Sequence, residues 1–188
     1  MEKIDYLILI RGINVGGKNV IKMDDLKRIF VNMHFTDIQI YIQTGNIFFK
    51  DHRKDKKKLI EIIEKTLSEN MKNEIKIAIL TLSELENAVK NVPDGFGEEN
   101  EKYKYDIMFL LKPLTTKIIM EEIKTIKNED KIFEGENVFY VIRSSKKLTG
   151  SYIAQIVNKW KNVTVRNFKV TKELYNIMKE RKKSMKDK

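Results

Sequence analysis

Residues 37–50 read DIQIYIQTGNIFFK, and this stretch decides the fold class. Ile38, Ile40 and Ile42 alternate with polar residues, the period-two pattern of a strand with one buried face. Thr44-Gly45 marks a turn, and Asn46 to Lys50 returns as a second strand, so the stretch reads as a β-hairpin. On its N-terminal side, Met23, Leu26, Phe30 and Met33 recur at helical spacing. Asp24 and Asp25 fall in that helix's first turn, where negative charge complements the dipole. Further out, Ile4 to Ile10 is a nearly unbroken apolar run bounded by a glycine-rich segment, which predicts a buried strand. On the C-terminal side, Asp55 to Asn70 is amphipathic through Leu59, Ile62, Ile63 and Leu67. Ile75 to Leu80 then alternates through Ile75, Ile77 and Ile79. A hairpin flanked on each side by a helix and then a strand gives the order βαββαβ.

Thr81 opens a further helix, with Glu84 three residues on as a capping box. Leu82, Leu85, Val89 and Val92 share a face, and Pro93 ends it. The element order then repeats. Tyr105 to Leu111, Lys131 to Glu134, Val138 to Ile142 and Val163 to Arg166 read as strands. Thr116 to Ile126 and Gly150 to Trp160 read as helices between them. A last helix starts at Thr171 and buries Leu174, Ile177 and Met178. The chain therefore reads as α+β, with a first unit and trailing helix over 1–92, a linker over 93–102, a second unit and C-terminal helix over 103–180, and a basic tail over 181–188. The two halves share element order, not residue identity.

The 188 residues are 41% hydrophobic, an ordinary globular value, and contain no cysteine. Disulfides, thiolate zinc sites and cysteine nucleophiles are excluded, and a reducing cytoplasm is the expected setting. No apolar run approaches the roughly 18 residues a membrane-spanning helix needs, so no membrane partner is expected. Net charge is +10, from 37 basic and 27 acidic residues. The last ten residues, KERKKSMKDK, hold six basic and two acidic side chains and read as a solvated, frayed end.

Four strand-end segments carry the residues that chemistry needs. Residues 11–19, RGINVGGKN, hold three of the chain's eight glycines. Glycine permits positive φ and close approach of a ligand to main-chain N–H groups. Arg11, Gly16, Gly17, Lys18 and Asn14 are the candidates here, with Asn14 and Asn19 tolerant of left-handed backbone. Gly12-x-x-x-x-Gly17-Lys18-Asn19 nearly spells a phosphate-binding loop. It departs from one where Asn19 replaces the magnesium-holding Ser or Thr, and where the helix starts near Met23. The second segment is YIQTGN at 41–46, with Gln43 and Asn46 as candidates. The third is RSSKKLT at 143–149, with Arg143 and Lys147, and the fourth is TVRNF at 164–168, with Arg166 and Asn167. Each also has a plain structural reading, as a glycine turn, a hairpin turn, a solvated loop or a strand end.

At these same four segments the sequence resembles the bacterial domain of unknown function 1697 family. The likeness rests on RGINVGGKNVIKM at 11–23, YIQTGNIFF at 41–49, Ser145-Lys146-Lys147-Leu148, and Thr164-Val165-Arg166-Asn167. Thr44 stands where Ser is commoner in that family, and Phe168 where Trp is usual. The resemblance implies two tandem ferredoxin-like units, each an antiparallel sheet with helices on one face. It implies no activity, and its motif residues are candidates without assigned roles.

The leading expectation is a small phosphate- or carboxylate-bearing ligand on the motif loops, with Lys18, Arg143, Lys147 and Arg166 converging on it. Nucleic-acid binding is the alternative, from the basic charge and the element order shared with RNA-recognition sheets. Those sheets stack bases on exposed aromatics, and of adjacent Phe48 and Phe49 only one can face outward. A protein-interaction or homodimer role is the third reading, and oligomeric state is left open. No catalytic constellation is recognisable. His34 reads as a helix-end residue, His52 lies in a charged run, and neither has a metal-ligand partner at helical spacing. No metal and no cofactor are expected.

Overall fold

The computed structural model describes residues 3–15, 19–123, 130–146 and 159–184. The order is β1 (Ile4–Ile10), α1 (Met23–Asn32), β2 (Thr36–Tyr41), β3 (Asn46–Asp51), α2 (Lys56–Met71), β4 (Ile77–Leu80), α3 (Leu82–Lys90), β5 (Tyr103–Leu110), α4 (Thr116–Ile123), β6 (Lys131–Gly135), β7 (Val138–Ser144), β8 (Val163–Asn167) and α5 (Phe168–Lys183). Among the described residues the strands form two four-stranded sheets, ordered β2-β3-β1-β4 and β6-β7-β5-β8. Every pairing is antiparallel. The equivalent order in both sheets is the tandem ferredoxin-like arrangement expected from the sequence. Lys147 and most of the helix expected over 150–160 lie outside the described residues, as do Gly16, Gly17 and Lys18.

The chain divides into two compact units, one of residues 1–85 and 176–188 and one of residues 86–175. The division falls within α3 and within α5.

In the first unit, even-numbered residues of β1 face the helices. Tyr6, Ile8 and Ile10 pack with Phe49 of β3, Leu26 and Phe30 of α1, and Leu59, Ile63 and Leu67 of α2. Phe30, Phe35 and Phe49 form a tilted ring cluster with centroids 4.4–6.1 Å apart. Asp55 caps α2 by accepting from Lys58 N–H at 3.2 Å. Ile62, expected to face inward, is instead exposed on α2. Strand β4 starts at Ile77, later than the alternation suggests. Ile75 N–H is bonded to Ser68 Oγ and Ile77 N–H to Glu64 Oε1, so this stretch is tied to α2 before it reaches the sheet. The expected capping box of α3 is present: Thr81 N–H and Oγ1 both donate to Glu84 Oε2 at 2.8 Å, and Glu84 N–H returns to Thr81 Oγ1 at 3.4 Å.

The opposite face of this sheet carries Phe48. Arg181, from the end of α5, lies 5.5 Å from the Phe48 ring centroid. It donates to both Asp5 carboxylate oxygens at 2.8–3.2 Å, to Gln39 Oε1 at 3.2 Å and to the Asp37 carbonyl at 2.9 Å. The expected solvated tail is therefore corrected at Arg181, which is buried, while Lys182 and Lys183 are exposed. Phe48 and Phe49 are both buried, so neither presents a stacking ring.

In the second unit, Met108 of β5, Phe139 of β7 and Val163 of β8 pack with Ile119 of α4 and with Leu114. On the other face, Phe96 meets Tyr105, Tyr140 and Phe168 edge to face at 4.9–5.6 Å between centroids. Helix α5 begins at Phe168, three residues before the expected start, because Asn167 accepts from Lys169 N–H at 2.9 Å and so caps it earlier.

Candidate functional site

The described candidates in the first unit, Arg11, Asn14, Gln43 and Asn46, gather at the C-terminal end of β1. That end is held on both sides: Ile10 N–H donates to the Gly45 carbonyl at 2.8 Å, and Arg11 N–H to the Lys76 carbonyl at 2.9 Å. Gly45 has φ +74°, and a Cβ there would sit 2.9 Å from Ile10 Cβ and from two Ile13 side-chain carbons. Glycine is required at this position on both counts.

Asn14 and Asn19 then build the β1–α1 connection. Gly12, Asn14 and Asn19 all take left-handed backbone, with φ of +64°, +54° and +48°. Asn14 Nδ2 donates to the Ile21 carbonyl at 3.1 Å and to the Gln43 carbonyl at 3.0 Å. Its Oδ1 accepts from Ile21 N–H at 2.9 Å, and its own N–H donates to the Asn19 carbonyl at 3.2 Å. Asn19 Nδ2 donates to the Gly12 carbonyl at 3.1 Å, and its Oδ1 accepts from Asn73 Nδ2 at 2.6 Å. Two asparagine amides thus tie three connections, β1–α1, β2–β3 and α2–β4, into one rim.

Asn46, fully buried, donates to the Tyr41 carbonyl at 3.2 Å and to Thr44 Oγ1 at 3.0 Å, closing the hairpin turn. The amides of Asn14 and Asn46 are therefore scaffolding. Exposed polar residues on this rim include Lys22, Gln43, Thr44 and Asn73, and Arg11 is half-buried. Helix α1 starts at Met23, after an uncapped Lys22, so its N-terminus is not formed by the glycines as it is in a phosphate-binding loop.

The remaining candidates belong to the second unit. Arg143 is paired with buried Asp106, Nε to Oδ2 at 2.8 Å and Nη2 to Oδ2 at 2.5 Å. Burial pushes the Asp106 carboxyl above its ordinary range, against the lowering charge and hydrogen bond of Arg143. Arg166 is buried and donates from Nη1 to Thr164 Oγ1 at 3.0 Å and to the Val165 carbonyl at 2.9 Å. Burial pulls its pKa down to about 10, so it stays protonated at neutral pH. Besides capping α5, Asn167 donates to the Tyr105 carbonyl at 3.1 Å.

His34 is exposed with φ +62°, at the end of α1, where its N–H donates to the Val31 carbonyl at 2.9 Å. Among the described residues no cluster of three His, Asp or Glu side chains is placed to hold a metal ion. No described helix is long and apolar enough to cross a membrane. Sequence reading missed Asn73, whose bond to Asn19 spans 54 positions, and it missed exposed Val15 and Val20, which pattern reading passes over inside a loop.

Two tandem ferredoxin-like sheets, with the motif segments at their strand ends, define an α+β protein of this tandem class. The family described as Protein of unknown function (DUF1697) matches residues 4–140, and the chain belongs to it. Among solved structures, the chain is similar to the conserved bacterial protein SP0830 from Streptococcus pneumoniae. The identity is 21% and the TM-score 0.81, over 95% of this chain and 99% of that one, a likeness of fold. No curated protein matches.

Proposed function

We propose that the first unit binds a small phosphate- or carboxylate-bearing ligand at the rim formed by the β1–α1 connection and the β2–β3 turn, and that it does so in the cytoplasm. One observation carries the reading. Asn14 fixes the β1–α1 connection to the β2–β3 turn through main-chain groups, and Asn19 ties it to the α2–β4 connection through the Asn73 side chain, which is what a rigid binding rim needs and a solvated loop does not. Arg11 and Lys22 supply positive charge, Gln43 a neutral donor and acceptor, and the sequence adds Lys18 and two glycines between them. Asn14 and Asn46 serve this site as scaffolding. Asp24 and Asp25 in the first turn of α1 oppose an anion, so affinity rests on the basic side chains and not on the helix dipole.

The test is a thermal-shift titration of the full chain with inorganic phosphate, malonate and short RNA at low and moderate salt. At about 100 times the dissociation constant a ligand should raise Tm by roughly 5–10 °C. The reading expects a rise with a small anion that survives moderate salt and is reduced in Arg11→Gln and Lys18→Ala. No rise with any small anion overturns it. A rise with RNA alone, fading with salt, transfers the function to nucleic acid.

A further inference from the structure

Three large apolar side chains stand exposed on this same rim: Val15 at 59%, Val20 at 72% and Ile42 at 45%. Single exposed aliphatics are ordinary on a protein surface. These three are not scattered. Val15 follows Asn14, Val20 precedes Ile21 and Ile42 precedes Gln43, and it is to Ile21 and Gln43 that the Asn14 amide is bonded. Neighbouring Ile21 and Ile40 are, by contrast, partly buried and packed against the first unit's core.

Ile42 adds an independent observation. Its φ is +50°, in the left-handed region that disfavours β-branched side chains most strongly. A turn position of this kind accepts Asn or Gly without strain. Here the chain holds an isoleucine in that conformation, with its side chain exposed. Strain kept at a residue whose aliphatic side chain is 45% exposed points to a role for that side chain outside the fold.

We infer that the ligand is an anion carrying an apolar substituent, an alkyl or aryl phosphate or carboxylate. Its charged group lies near Arg11 and Lys22 and its apolar part on Val15, Val20 and Ile42. This rests on the anion site proposed above. A soluble ester fits the rim because two basic and three aliphatic residues on two short connections make a small mixed surface and not a broad apolar one. Binding involves no bond making or breaking.

The test is calorimetric titration of the full chain with inorganic phosphate, phenyl phosphate and hexyl phosphate at one ionic strength, with phosphatidylglycerol vesicles as a fourth arm. The inference expects hexyl or phenyl phosphate to bind at least about tenfold more tightly than inorganic phosphate. Ile42→Asn should remove that preference and raise Tm by about 2–4 °C through relief of strain. The Val15→Ser variant should reduce the preference without raising Tm. Lys22→Ala should weaken all the phosphates together. Equal affinity for the three phosphates, or a preference intact in Ile42→Asn, overturns the apolar subsite while leaving the anion site standing. Binding of none of them removes both. Binding to vesicles but not to hexyl phosphate overturns the soluble ligand in favour of a lipid surface.

Discussion

Asn14 bonds its amide to three main-chain groups while holding a φ of +54°, and those two demands together explain why asparagine stands there. Asn14→Gly keeps the backbone conformation and removes only the amide. Its stability in urea should fall by about 1–3 kcal/mol, because Ile21 N–H and two carbonyls lose their partner. Gly45 sits in the opposite situation, needing both a positive φ and the lack of a Cβ. Gly45→Ala should cost about 2–4 kcal/mol from overpacking against Ile10 and Ile13 plus left-handed strain, read as a drop in Tm. These residues were legible in part. Left-handed tolerance at Asn14 and Asn19 follows from residue type, but their partners do not, since Gln43 and Asn73 are 29 and 54 positions away. Ile42 continues the alternation of Ile38 and Ile40, so the sequence places it on the same strand face. The hairpin register pairs Tyr41 with Asn46 and leaves Ile42 in the turn.

Periodicity located the elements because one face of each had to be buried. Strand β1 runs over the expected Ile4–Ile10, and α1 starts at the expected Met23. Ends drifted where a side-chain bond competes with the ladder or the helix, as Glu64 and Ser68 do before β4 and Asn167 does before α5. The Thr81 cap was readable because both partners lie within one turn. Thr81→Ala should cost about 1 kcal/mol of unfolding free energy. The docking of Arg181 was not readable, because its partner Asp5 is 176 positions away. Both side chains are largely buried, at 9% and 11% exposure. Arg181→Ala should therefore destabilise by about 3–5 kcal/mol, mostly from leaving the Asp5 carboxylate buried without its partner. Arg181→Lys should recover only part of that, since an ammonium cannot reproduce the two-pronged geometry.

Across the whole molecule, the acid response joins carboxylates of opposite sign. Burial alone would raise Asp51, but the hydrogen bonds and charge of Arg53 outweigh it and hold the carboxyl below its usual 3.8. Glu84 is likewise held below 4.5 despite burial, by Lys56 and Thr81. A folded pKa below the unfolded one means stability that is present above the unfolded value and lost as pH falls through the folded one. Asp106, raised by burial, works in the other direction: its contribution weakens as pH climbs from 3.8 through its raised value. Urea midpoints should therefore fall as pH drops below about 4.5. Asp51→Asn should be less stable than the parent at pH 7 but lose less between pH 7 and pH 3. An equal loss in both proteins would remove Asp51 from the acid limb.

The claim that the rim of the first unit is a ligand site is tested most directly by amide chemical-shift mapping of the full chain during a titration with inorganic phosphate. The account predicts saturable shifts concentrated at Gly12, Asn14, Val15, Asn19, Lys22 and Gln43, with the amides of β5 to β8 unmoved. Shifts confined to the last ten residues, or no saturable shift at any residue of the rim, would contradict it.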